Sequence, residues 1–461
     1  MLILTLFHAA LAQDTLLLRD VRPVDARGPQ PRGDLLIAGD RIAAVGPDLL
    51  APEGAHVIDA GGAFVTPGII DAHVHISMAP GAQWRPPLSE DEEAARRAHH
   101  LRALLSWGVT TFADPGISRE DAQQIQALSE QGPSPRPVWI GPILSPPGGY
   151  VVDVIPGLPA PETPAQARHF IEDFDAALDP VGVKVTMEDG FIRPVWPLHD
   201  DAVLDEVSRT CAEYGLDIYV HANEDEMYRR GLPLAPRAFV HAPVSPLSDA
   251  VRDQLIASGT YVITTLSTGM AALLEGDTAH WDDPRVHRSV PLDELATARD
   301  PAIGVAYRRA VAALALPRAR WLHGAAARVA GSPRVIENQV ARMADEIRAL
   351  HDAGVPLVMG SDSGNWPALP YLQHGPSSLL EIEGLQERAG LSPLDVLTAA
   401  TWTPAQMLRI DDEVGLVEVG MTADLLLLPA DPLEDIRVLG RPMQVIRAGE
   451  AHPPADWLKA R

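Results

Sequence analysis

Along this chain, short apolar runs alternate with longer stretches whose apolar residues recur at helical spacing. IIDAHVH, VTTFAD, PVWIGPI, VGVKVT, LDIYVHA, RAFVHAP, TYVITTL and PLVMGSD read as strands. Most are followed by a helical pattern, such as DEEAARRAHHLRALLSW after the first and DAVRDQLIAS after the sixth. Eight such βα units within about 340 residues predict an α/β fold, a (β/α)8 TIM-type barrel over residues 67–410, with its chemistry at the C-terminal ends of the strands.

The flanks have a different texture. Residues 13–66 alternate short strands with turns, in TLLLRDVRPVD, DLLIAGDRIAAVG and HVIDAGGAFV, and the same texture returns over 411–451 in VGLVEVGMTADLLLLPAD and QVIRAGE. A small β-sandwich domain formed by both termini is expected. Two stretches interrupt the barrel pattern. Residues 133–164 carry ten prolines, which predicts a long rigid loop after strand three. Some 65 residues between TYVITTL and a helix near 334 predict an insertion that overhangs the barrel mouth and helps cover a substrate.

Composition narrows the possibilities. A formal charge of −25 and a pI near 4.9 leave no basic stripe for phosphates, so nucleic acid and an anionic membrane surface are excluded as partners. No run after the N-terminus approaches the roughly 18 apolar residues of a membrane span. The single cysteine, Cys211, excludes an internal disulfide and any CxxC site, and its helical context makes it a core hydrophobe. MLILTLFHAALAQD resembles a signal peptide over residues 1–12, ending at Ala10-Leu11-Ala12, although it lacks a basic start. A periplasmic or secreted location is the expectation, with the cytoplasm as the alternative, and the oligomeric state is open, a homo-oligomer included.

Lysine usage is the strongest single clue. Of 37 Lys and Arg residues, only Lys184 and Lys459 are lysine, and Lys184 lies inside the apolar strand GVKVTM. An arginine stays charged, whereas a buried lysine can lose its proton and act as nucleophile, base or ligand precursor. The plainer reading is a strand-edge lysine whose amine reaches water. Its company decides between them. His73 and His75 on strand one, His221 on strand five, His241 on strand six and Asp362 on strand eight all fall at predicted C-terminal strand ends. In DAHVH, period-two alternation turns His73 and His75 to one side, the barrel interior. Imidazoles and a carboxylate converging on one mouth suit a divalent metal such as zinc.

Those residues carry a resemblance. The chain resembles the amidohydrolase superfamily, in its imidazolonepropionase-like and prolidase-like branch. The similar motifs run from IDAGGAFVTPGIIDAHVHI through GVTTFADPG and GSDSG to LSPLDVLTAATWTPAQML and VGLVEVGMTADLLLLPADPLEDI. The resemblance implies two divalent metal ions, zinc first among the candidates. His73, His75 and Asp362 would hold one ion, His221 and His241 the second, and a carboxylated Lys184 would bridge them. It further implies that a metal-bridging hydroxide attacks an amide carbonyl while Asp362 carries the proton to the leaving amine. The implied partner is a small-molecule amide or dipeptide: a dipeptide, an N-acyl amino acid or a cyclic amide.

Departures from the pattern matter too. Many prolidase-like relatives have Gly-Gly-His after strand three, where this chain has Gly-Gly-Tyr150, a residue that could bind the substrate carbonyl or simply pack. Glu224 in HANE matches a His-x-x-Glu of superfamily deaminases. It supports an alternative function, a mononuclear deaminase of a nucleobase-like heterocycle, unless it is only an acidic residue in the first turn of a helix. A barrel kept as a binding scaffold is a third possibility. His99, His100, His280, His287 and His374 are expected to be solvated, with only His374 able to reach the site, and Asp114 is expected to brace the barrel mouth.

Overall fold

The computed structural model describes residues 15–150, 152, 158–190, 195–315, 328–329 and 332–459. The segment 1–12 read as a signal peptide lies outside the described residues. Within them, no helix is long and apolar enough to cross a membrane.

Eight parallel strands form the barrel wall. They are β7 (Ile69–Asp71), β8 (Val109–Asp114), β9 (Arg136–Leu144), β10 (Gly182–Thr186), β11 (Asp217–His221), β12 (Ala238–Val240), β13 (Tyr261–Ile263) and β14 (Leu357–Val358), paired in sequence order. The circle closes just beyond the outer strands. Val74 bridges Ser363 in parallel, Asp362 N donates to His73 O at 2.7 Å, and His75 N donates to Ser363 O at 2.8 Å. This is a TIM-type barrel.

Alternation sorts the side chains of the wall. Ile70, Ala72, Ile140, Tyr219, Val240, Ile263 and Val358 fill the interior as one buried cluster. Val74, Val183, Val185, Val220, Phe239 and Val262 belong to the layer under the helices. Helices begin where side chains can satisfy their free N–H groups. Ser89 and Glu92 make a capping box for the helix Glu90–Ser106, as Thr163 and Gln166 do for Pro164–Leu178.

A second sheet is built from both ends of the chain. Residues 15–67 supply its first strands, the last of them β6 (Phe64–Pro67), and β15 (Leu425–Leu428), β16 (Gln444–Arg447) and β17 (Glu450–His452) complete it, with β15 antiparallel to β6. Leu18, Leu35, Ile37, Val65, Leu425 and Ile446 form its own apolar core.

Two expectations need correction. The proline-rich stretch is not a loop throughout, because β9 runs to Leu144 and includes Pro137 and Pro142. β9 tolerates Pro142 because the pairing with β10 skips from Ile140 to Ile143, a bulge spanning Gly141 and Pro142 where no ladder donor is needed. The loop proper starts at Ser145. His100 and His374 are not solvated but buried, at 2% exposure each. His374 Nδ1 and Nε2 meet Ser363 Oγ and Met78 O, both at 3.1 Å, while His100 Nε2 meets Glu294 Oε1 at 3.0 Å. Cys211 is buried, and burial pushes its thiol up to about 12, as a core residue requires.

The described part of the insertion contains short helices, among them Pro284–Ser289 and Leu292–Arg299, followed by Pro301–Ala315. It is fastened to the helix Glu90–Ser106 and its end, where Glu294 accepts from Arg96 at 2.6 Å and Ser289 Oγ accepts from Trp107 Nε1 at 2.9 Å. The Tyr307 ring lies 6.1 Å from Trp366 and 5.9 Å from Tyr371, on the loop that follows β14. That places it on the C-terminal side of the barrel.

Candidate metal centre

Strand ends position each side chain. β7 stops at Asp71 and the alternation shifts beyond it, Ala72 N bonding Met359 O on one side and Val74 N bonding Ala113 O on the other, so His73 and His75 project to the same side while Val74 is buried among apolar neighbours. Asp71 fixes this corner. Its carboxylate accepts from His73 N and Ser361 N, at 3.3 and 2.9 Å, and from Ser378 Oγ at 2.7 Å, which ties the end of β7 to the turn that carries Asp362. Burial pushes the Asp71 carboxyl up to about 6 despite those donors.

The distances define a tight cluster. His73 Nε2 and His75 Nε2 lie 3.1 Å apart, and Asp362 Oδ1 lies 3.2 and 3.3 Å from them. Three ligand atoms bound at 2.0–2.2 Å to one tetrahedral or octahedral ion stand about 3.0–3.5 Å from each other. A hydrogen-bonded triangle is the poorer account, because Asp362 Oδ1 is buried and makes no hydrogen bond. Nitrogen and carboxylate donors at these separations fit a divalent ion.

His241 and His221 stand beside the triangle. The His241 ring is 5.0 Å from His73 and 4.6 Å from His221, and its Nδ1 lies 3.9 Å from Asp362 Oδ2 and 2.8 Å from Thr265 Oγ1. His73, His241 and Asp362 offer ligand atoms all within 4.8 Å of one another. His221 Nε2 is buried and makes no hydrogen bond. Three of these imidazoles are held neutral. Burial pulls His73, His221 and His241 well below the usual histidine value, and the charge of Lys184 adds to it. A neutral imidazole has the lone pair a metal needs.

Burial opposes charge on His75 as well, yet Asp114 and Asp362 raise it above the usual value. Asp114 does the bracing expected of it. Its carboxylate accepts from Ile76 N at 3.0 Å and Gly116 N at 3.1 Å and lies 3.5 Å from His75 Nδ1. Burial works against ionisation of Asp362 too, but His75, His241 and Lys184 together hold it below the ordinary carboxylate value.

Lys184 sits in the middle of β10, at 2% exposure, between the outward Val183 and Val185. Burial lowers its amine to about 8, against the opposing pull of Asp362 and Asp114. The strand-edge reading, with the amine in water, does not hold. Tyr150 is at the site: its ring stacks on His221 at 4.6 Å and meets Trp196 edge-on at 5.3 Å. Burial, with Glu188 and Asp362 nearby, pushes the phenol up and keeps it protonated. Glu224 is half-buried at the N-cap of the helix Asp225–Gly231, one position before the first turn, and takes no part in the ligand triangle.

One carboxylate escaped the sequence reading. Glu188 is buried, with its Oε2 3.8 Å from His221 Nε2 and 2.6 Å from Asn223 Nδ2. The signal was present, since Lys184, Thr186 and Glu188 share the inward parity of β10 while Val185 and Met187 are apolar. The backbone at the site is strained. His241, Thr265 and Asp362, at the ends of adjacent strands, have φ of 81°, 43° and 53°, a region non-glycine residues occupy at a cost of order 1–3 kcal/mol each.

A barrel whose C-terminal mouth gathers buried imidazoles, a carboxylate and a lysine offers a candidate site for a divalent ion. The chain belongs to the amidohydrolase family, which it matches over residues 64–230 and 308–450. Among curated proteins it is similar to the dihydroorotase of Geobacter sp. strain M21, 40% identical over 81 residues, which cover 17% of this chain and 19% of that one. The match therefore spans about a fifth of that relative's length. Among solved structures, an Xaa-Pro dipeptidase with bound methionine in its active site superposes with a TM-score of 0.71 at 20% identity, covering 95% of this chain and 99% of that one. A molinate hydrolase does so with a TM-score of 0.69 at 18% identity, covering 96% and 95%. Such likenesses establish the fold.

Proposed function

We propose that the protein is a metal-dependent amidohydrolase that cleaves a C–N amide bond in a dipeptide, an N-acyl amino acid or a cyclic amide. The observation that carries this reading is the convergence of His73, His75 and Asp362 on one point, with buried Lys184 and the His221–His241 pair beside it. His73, His75 and Asp362 would hold one ion and His221 and His241 another, with zinc the candidate that suits nitrogen and oxygen donors. Lys184 carries the bridge. Its lowered amine is neutral in a useful fraction of molecules near neutral pH, and addition of CO2 to that amine, with loss of one proton, gives a carbamate with two oxygens.

When bound, two divalent ions supply activation of a water and polarisation of the substrate carbonyl. The chain supplies the rest. Asp362, ionised and held by Asn365 Nδ2, accepts the proton of the attacking water and returns it to the departing nitrogen. Tyr150, protonated and stacked on His221, donates a hydrogen bond to the carbonyl oxygen as charge develops there. The aromatic pair of Tyr150 and Trp196 shields that side from water.

The test is a library of dipeptides, N-acyl amino acids and cyclic amides, incubated with zinc-loaded protein and assayed for new amine. Release from at least one class is expected, and silence across all of them would count decisively against the proposal. A deaminase using Glu224 predicts a single metal equivalent and ammonia from a heterocycle. Buried Lys184 beside the imidazoles favours the hydrolase, since its carbamate would join two ions.

A further inference from the structure

Glu188 follows β10 and points into the barrel mouth, with 1% of its surface exposed. Its Oε1 accepts from Gly190 N at 2.8 Å and its Oε2 from Asn223 Nδ2 at 2.6 Å, both neutral donors. Among the described residues no lysine or arginine pairs with it, the one basic group within ion-pair reach is His221, and Asp189 and Glu224 are near enough to add like charge. A carboxylate taken out of water without a cation is unstable as an ion. Facing it at 3.8 Å is His221 Nε2, itself buried and without a hydrogen bond. Two groups each lack what the other cannot provide.

The gap is too wide for a hydrogen bond, which ends near 3.2 Å for nitrogen and oxygen. It is the right width for an ion. Two ligand atoms bound at about 2.1 Å and separated by 3.8 Å subtend roughly 130° at the metal, within the range of a distorted four- or five-coordinate site. We propose that Glu188 is a protein ligand of the ion held by His221 and His241, so that this ion has an anionic partner independent of Lys184. Asn223 orients the carboxylate by donating to the same oxygen, as partners of metal-bound carboxylates do.

The inference rests on the two-metal reading above, and metal binding, not turnover, tests it. Zinc stoichiometry and affinity are measured by competition with a chromophoric chelator on the full chain, alongside the visible spectrum of the cobalt-substituted protein. For Glu188→Gln, which keeps shape and removes the charge, the expected result is a normal circular dichroism melt and retention of the tighter equivalent. The second equivalent should bind at least tenfold more weakly, with a changed cobalt band. If that variant does not fold, Glu188→Asp serves, since it retracts the carboxylate by one methylene and should weaken the second site by a smaller factor. Two equivalents bound within twofold of wild type in a folded variant overturn the proposal and leave the hydrolase reading standing. Unchanged metal with an altered KM overturns it as well, by assigning Glu188 to the substrate. A wild-type protein that binds no second equivalent overturns both.

Discussion

Gly116 offers a way to disturb the proposed centre without replacing any of its residues. It lies in the ADPG turn after β8, and a Cβ added there would stand 2.6 Å from His75 Cε1 and 3.0 Å from His75 Nδ1. Non-bonded carbons settle at about 3.5–4.0 Å, so the imidazole of Gly116→Ala must withdraw by about 1 Å. The backbone itself accepts alanine, since Gly116 is not among the residues with positive φ. His75 Nε2 is bonded to the displaced Cε1 and moves with it, out of the 3.1–3.3 Å triangle with His73 and Asp362. Metal–ligand distances tolerate about 0.2 Å. We therefore expect one equivalent of metal to bind about 10–100-fold more weakly, and turnover to fall about 100-fold at fixed metal. Folding should suffer much less, by about 1–3 kcal/mol of overpacking, read as a fall of a few degrees in Tm. Gly132→Ala, where nothing lies within 4 Å, is the control and should match wild type in every respect. Metal content after dialysis against limiting chelator, with a thermal melt, decides the matter. A Gly116→Ala protein that keeps two equivalents at wild-type affinity would refute the assignment of His75 as a ligand.

Two further substitutions probe separate parts of the structure. Lys184→Ala should lose most metal and activity and recover part of both with short carboxylic acids, whereas Lys184→Arg should be as inactive and not rescued; near-normal turnover by the arginine variant would exclude the carbamate. Glu294 fastens the insertion. Burial opposes its ionisation, but His100, Arg85 and Arg96 pull its carboxyl down to about 2. A folded value below the unfolded one means stability that is present above about pH 4.5 and lost as pH falls from there towards 2, amounting to about 3 kcal/mol for a fully buried group. Glu294→Gln should therefore be less stable than wild type by about 3 kcal/mol at pH 7, with the difference shrinking below pH 4.5. Urea titrations at pH 7, 5 and 3.5 measure it, and a pH-independent difference would show that packing, not charge, fastens the insertion.

The parts of the centre legible in the sequence are those governed by short-range periodicity. Alternation in DAHVH placed His73 and His75 together, and the rarity of lysine marked Lys184 before any fold was known. His221, His241 and Asp362 followed from the strand pattern. What was missed depends on partners far away in sequence. His100 and His374 sit among charged or loop-like neighbours and read as solvated, yet Glu294, 194 residues from His100, buries one, and Ser363 and Met78 receive the other. The helical pattern did hold a hint, since His100 shares a face with the buried Ala103, Leu104 and Trp107. β9 is legible as PVWIGPI to within one residue at each end, but the bulge that excuses Pro142 arises only from pairing with β10. Glu188 was passed over because it lies beyond the last strand residue, where alternation is usually abandoned.

Several features that cost this fold stability meet at the barrel mouth. His241, Thr265 and Asp362 occupy positive φ, Asp362 Oδ1 and His221 Nε2 are buried without hydrogen bonds, and Asp71 and Glu381 are carboxyls pushed up to about 6 and about 7 by burial. Glu381 shows how the strain is contained. It accepts from Thr264 Oγ1 at 2.5 Å and Ser267 N at 2.6 Å, while Ser267 Oγ donates to Ser361 O at 2.7 Å, so one buried carboxyl braces the ends of β13 and β14 on either side of the strained turns. Thr264 and Ser361 are immediate chain neighbours of Thr265 and Asp362. A chain selected for stability alone would place apolar side chains at these positions, as it does one layer deeper with Val240, Ile263 and Val358. The contrast between a quiet apolar layer and a strained polar one directly above it is what a barrel requires if its mouth must hold ions in a fixed geometry while the wall below supplies the stability.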